Sequence, residues 1–217
     1  MNYAKTVFRT VFHTLLSTSA IALYLSSLSP GYADEPPRDV LPPAPGGSRP
    51  IGAPCLIAPH YPEMVVWSDR PLFIWQGEAM AIALRLPGSA APFWQKSVTG
   101  MTQFHYDGAA LQPGQIYEWL VYGPASEQPL MIRVFQVMPD GERQAIAAEL
   151  DQLTAQLTAQ LTTQEPNETI AIARVNALID QGLWADAIQE LFSIPQPSAA
   201  IAQYQQAITT HLCNSES

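Results

Sequence analysis

The chain has 217 residues, 47% of them apolar, and a formal net charge of −9. That is enough apolar material for a core, and the length suits one large or two small domains. An acidic surface repels phosphate backbones and anionic lipid heads, which excludes nucleic acid as an expected partner.

Residues 1–33 have the order of an export signal. Lys5 and Arg9 give a positive start, Val11 through Leu28 is mostly apolar, and Gly31-Tyr32-Ala33 offers small residues for cleavage after Ala33. Ser17, Thr18 and Ser19 interrupt the apolar run, which falls short of the ~20 residues that span a bilayer comfortably. The expected product is a periplasmic or secreted protein with no transmembrane segment after cleavage. Its balance is eight bases against nineteen acids, a net of −11.

Asp34 to Pro54 holds seven prolines in 21 residues. Each fixes φ and removes a backbone donor, so this stretch reads as an extended, proline-rich linker.

Cys55 and Cys213 are the only cysteines. In an exported chain they are a candidate disulfide that ties the last helix to the start of the folded part.

Residues 55–138 read as strands. Glu63–Trp67, Leu72–Trp75, Met80–Leu86, Gln95–Val98, Thr102–Tyr106, Gln115–Tyr122 and Leu130–Val137 are short β-branched and aromatic runs. Turn pairs such as Pro87-Gly88, Asp107-Gly108 and Pro113-Gly114 separate them. This spacing predicts an antiparallel β-sandwich. Tyr117, Trp119 and Val121 should share its inner face.

Residues 139–217 read as helices, so the fold class is α+β. Ile146, Leu150, Leu153, Leu157 and Leu161 draw one stripe, with Asp140 as the expected N-cap. A second helix carries Ile172, Val175 and Ile179 and stops at Gly182. Trp184, Ile188 and Leu191 mark a third, and Ile201, Tyr204, Ile208 and Leu212 a fourth. The middle pair has the spacing of a single tetratricopeptide-like hairpin, and one such unit must pack on neighbours.

No catalytic constellation emerges. His60, His105 and His211 are scattered, without metal-ligand spacing, and there is no nucleophile elbow, phosphate loop or dinucleotide fingerprint. No metal, cofactor or enzymatic activity is expected. Trp75 and Trp119 sit in apolar strands and read as core. Trp94 follows Pro92-Phe93 in a polar stretch and is the best candidate for an exposed contact. Trp184 opens a helix and reads as a packing anchor or binding residue.

Three motifs carry a resemblance. Ser68-Asp69-Arg70-Pro71-Leu72-Phe73-Ile74-Trp75, followed by Leu111-Gln112-Pro113-Gly114 leading to Tyr117 and Trp119, resembles exported cyanobacterial Ig-like or fibronectin-like modules. Together with Gly182-Leu183-Trp184-Ala185-Asp186-Ala187, the order is similar to a cyanobacterial family of exported domains of unknown function, over about Met64 to Gln206. That resemblance implies an Ig-like β region followed by helices, and it brings no catalytic residue. The expected role is a non-catalytic binding or scaffold module with a protein partner. The alternative is carbohydrate binding through exposed aromatics, and an enzyme built from scattered residues ranks third.

Overall fold

The computed structural model describes residues 41–43, 49–59, 65–124, 127–161 and 166–214. The leader with its Ala33 cleavage site, and His60, lie outside the described residues. Eight strands form two sheets: β1 (Cys55–Ala58), β2 (Val65–Val66), β3 (Leu72–Gln76), β4 (Ala81–Arg85), β5 (Trp94–Ser97), β6 (Gln103–His105), β7 (Ile116–Tyr122) and β8 (Met131–Val137). One sheet has the order β1-β3-β6, the other β2-β8-β7-β4-β5. Every pairing is antiparallel except β2 with β8, which is parallel.

The sheets pack face to face. Alternation on β7 turns Tyr117, Trp119 and Val121 inward, as expected from their spacing, where they meet Phe73 and Trp75 of β3 and Phe135 of β8. The rings of Phe73 and Trp119 lie 4.9 Å apart across this interface. Trp75 and Trp119 are both core residues. Burying each such side chain removes enough apolar area to contribute roughly 1.5–3 kcal/mol.

Four helices follow: α1 (Asp140–Gln160), α2 (Pro166–Asp180), α3 (Trp184–Phe192) and α4 (Ala199–Asn214). Most of each expected stripe is buried, including Ile146, Leu150 and Leu157 on α1 and Ile201, Tyr204, Ile208 and Leu212 on α4, while Leu153 and Ile179 are half-buried and Leu161 caps α1 rather than continuing it. These side chains form a second core with Cys55, Ile57, Leu72 and Ile74. Strand β3 is therefore buried on both faces, Phe73 and Trp75 toward the larger sheet and Leu72 and Ile74 toward the helices. The layers are five-stranded sheet, three-stranded sheet, helices. Cys55 of β1 and Cys213 of α4 are bonded, with Cα atoms 5.6 Å apart.

The chain leaves α2 through a glycine that the turn requires. Gly182 has φ +78°, its N–H donates to the Ile179 carbonyl, and the next N–H, of Leu183, donates to that of Leu178. This 5→2 and 6→1 pair is a Schellman ending, and Leu178 and Leu183 share the helical core.

Two expectations differ from the structure. Asp140 is not a cap. Pro139 holds the N-cap position with no side-chain hydrogen bond, and Asp140 is the first helical residue. There its charge complements the helix dipole. Strand β1 was not expected, because Cys55-Leu56-Ile57-Ala58 has no polar alternation. Its burial on both faces explains that uniformity. The described part of the proline-rich stretch also touches the helices. His211 Nε2 lies 3.0 Å from the Pro42 carbonyl, and Arg49 Nη2 donates to the Cys213 carbonyl at 3.4 Å.

Candidate functional site

The segment Trp67–Leu72 runs from β2 into β3, and three of its backbone N–H groups are held by side chains of a helix. Trp67 N and Ser68 N donate to Asp186 Oδ2 and Oδ1, at 2.7 and 3.0 Å. One helical turn further along α3, Gln189 Oε1 accepts from Leu72 N at 2.6 Å. Both side chains are buried, at 3% and 6% exposure. A buried backbone donor left unpaired costs about 1–3 kcal/mol, so these residues replace the strand partner the segment lacks. From α1, Arg143 Nε donates to the Trp67 carbonyl at 2.9 Å and Nη2 meets Asp69 Oδ2 at 2.9 Å. In return Trp67 Nε1 donates to the Arg143 carbonyl at 3.1 Å.

The three sequence motifs meet here. Asp186, from Gly182–Ala187, grips the segment that opens the Ser68–Trp75 motif. Leu111, from the third motif, donates its N–H to the Asp69 carbonyl at 3.0 Å, and Tyr117 Oη accepts from Gln112 N at 2.8 Å.

A cleft of about 160 Å³ lies beside this junction. Leu72 and His105, opposite each other across β3 and β6, form its floor. Trp67, Ser68 and Arg70 form one wall, and Leu178 of α2 with Asp186, Gln189, Glu190 and Ser193 of α3 form the other. Two donors stand out. Gln189 Nε2 is buried and has no hydrogen-bond partner among the described residues. Arg70 is exposed and donates through Nη1 to the Gly108 carbonyl at 2.7 Å, without a carboxylate partner among the described residues. By contrast Arg85, Lys96, Arg143 and Arg174 are each ion-paired. A side chain at Gly108 would run into the Tyr106 ring, since a Cβ there would stand 2.3 Å from the phenolic oxygen. The carbonyl that positions Arg70 thus depends on a glycine.

Trp94 lies elsewhere, on edge strand β5. Its ring is half-buried against Phe73, Phe104 and Tyr106, with centroid distances of 6.0, 6.1 and 5.0 Å. Its Nε1 donates to Asp107 Oδ1 at 2.8 Å, and Lys96 Nζ sits 2.6 Å from Asp107 Oδ2. Phe93 beside it is 51% exposed and is the more open aromatic. Trp184 is buried at the first turn of α3. Neither tryptophan lines the junction cleft.

The hydrogen bonds from Lys96 and then Trp94 hold the Asp107 carboxyl below its ordinary range. A lowered folded-state value means the interaction is complete above the ordinary aspartate pKa and is lost as pH falls through the folded one. The Trp94 indole N–H resonance should therefore titrate below the usual aspartate range, and Asp107→Asn should abolish that titration. Nuclear magnetic resonance of the indole N–H reads both.

Among the described residues no three His, Cys, Asp or Glu side chains gather as a metal site, and no helix is long and apolar enough to cross a membrane. Comparison with family models, curated proteins and solved structures returns no match.

Gln189 carries no signal in sequence. It is one of three polar residues in a nine-residue helix, and its partner, Leu72 N, lies 117 residues earlier in the chain.

Proposed function

We propose that this chain is an exported, non-catalytic binding module of Ig-like type, with a tetratricopeptide-like hairpin fused to its three-stranded sheet. The strand order supports the Ig-like reading: three strands face five, and a short strand pairs in parallel with the last one. The Tyr117 hydroxyl, bonded to backbone five residues upstream at the start of its strand, has the form of a tyrosine corner. The α2–Gly182–α3 turn supports the hairpin.

The observation that carries the reading is the convergence of all three motifs on one fixed junction with a cleft beside it. Side chains there hold backbone, and Arg70 and Gln189 both line the cleft. Such a preorganised surface binds with little ordering cost, and its partner is a protein in the same compartment.

A photo-crosslinker placed in cells at His105, on the cleft rim, should capture one protein repeatedly. The same group at Gln95, exposed on β5, should not. The recovered chain should begin at Asp34. Equal capture from both positions, or none, would refute the binding reading. A chain retaining its first 33 residues in the cytoplasm would refute the export reading.

A further inference from the structure

The geometry points to the junction cleft as a carboxylate-binding site, one that takes a free acid or the C-terminus of a peptide. This rests on the binding-module reading and names what that module recognises. The first support is Gln189. Its oxygen is committed to Leu72 N, which leaves the amide nitrogen as a pure donor, and that nitrogen is buried with no partner among the described residues. A buried donor with no acceptor is costly, and a ligand oxygen would relieve it.

The second is Arg70. Arg85, Lys96, Arg143 and Arg174 are ion-paired, whereas Arg70 brings to the same cleft a guanidinium with no carboxylate partner among the described residues. Its Nη1 is anchored on the Gly108 carbonyl, and the remaining N–H groups can present the fork that matches a carboxylate.

The two acids in the wall do not oppose this. Both Asp186 oxygens accept backbone N–H groups, and Glu190 is paired with Arg174 at 2.7 Å. His105 also lines the cleft and carries a ring N–H able to donate. The volume, about 160 Å³, has room for a carboxylate and a small side chain.

The test uses the purified, disulfide-bonded chain labelled with ¹⁵N. It is titrated separately with acetate, with a short alanine peptide bearing a free C-terminus, and with the same peptide amidated. The Gln189 side-chain amide and the Arg70 Nε–H should shift and saturate with the free-acid peptide. Saturation by acetate as well identifies carboxylate chemistry open to small acids, whereas saturation by the peptide acid alone identifies a chain terminus.

Arg70→Gln should weaken binding about tenfold. Gln189→Glu keeps the acceptor for Leu72 N but puts a negative charge where the donor stood, and should abolish binding while the fold persists. Any of three results would overturn the site: equal binding of the amidated peptide, no saturable shift with any probe, or full affinity in both variants. If the His105 crosslink survives such a result, the binding module stands and only its carboxylate specificity falls.

Discussion

Asp186→Ala should destabilise the chain by about 3 kcal/mol, a large share of what a domain this size possesses. The deletion leaves two half-buried backbone donors, Trp67 N and Ser68 N, without the carboxylate they donate to. It also removes the grip of α3 on the segment that leads into β3. Each hydrogen bond to a charged acceptor contributes about 1.5–3 kcal/mol, and the orphaned donors add a desolvation cost. Asp186→Asn should fall between, because one oxygen still accepts while its amide confronts an N–H. Urea unfolding of the two variants reads the difference. A loss under about 0.5 kcal/mol for the alanine variant, typical of an uninvolved surface position, would show that the junction is held by packing alone.

Reducing the Cys55–Cys213 bond should be of similar size. The bond spans 158 residues of sequence, and in the chain-entropy model a loop this long contributes about 5 kcal/mol by restricting the unfolded state. Measured losses in small exported domains run to roughly 2–5 kcal/mol. The bond also fixes α4 on β1, where Cys55 and Ile57 share a core with Leu212. Cys55→Ser with Cys213→Ser should lower the midpoint of thermal unfolding by at least several degrees and leave the helix content of the folded state unchanged. An unchanged midpoint would mean that the unfolded chain is already confined by other means.

The elements themselves were legible because each has one clear period. Leucine at steps of three and four on α1, and alternating aromatics on β7, leave little freedom. The relation between the layers was not legible. Leu72-Phe73-Ile74-Trp75 reads as a strand with one face inward, and nothing in four apolar residues says that the second face meets helices 70–140 positions later. The same burial hid β1, whose residues lack alternation.

At the site, Asp186 was visible within its motif, but its work lies 118 residues away on a backbone N–H that has no side-chain signature. Arg70 likewise stood within a motif without a visible role, and Gln189 stood in none. Their meaning comes from the Leu72 N–H that donates to Gln189 and from the Gly108 carbonyl that anchors Arg70, and neither is a property of local sequence. Trp94 shows the converse, since a tryptophan in a polar stretch reads as exposed until Phe104 and Tyr106 are folded around it.

The three-stranded sheet contributes side chains to both cores, so the β layers and the helices should unfold together. Denaturant unfolding followed at once by helical circular dichroism and by tryptophan fluorescence tests it most directly. Four of the five tryptophans lie before Pro139 and the four helices after it. Coincident curves, with the same midpoint and slope, are the predicted result. A helical transition that runs to completion while the tryptophan signal stays native would contradict the account.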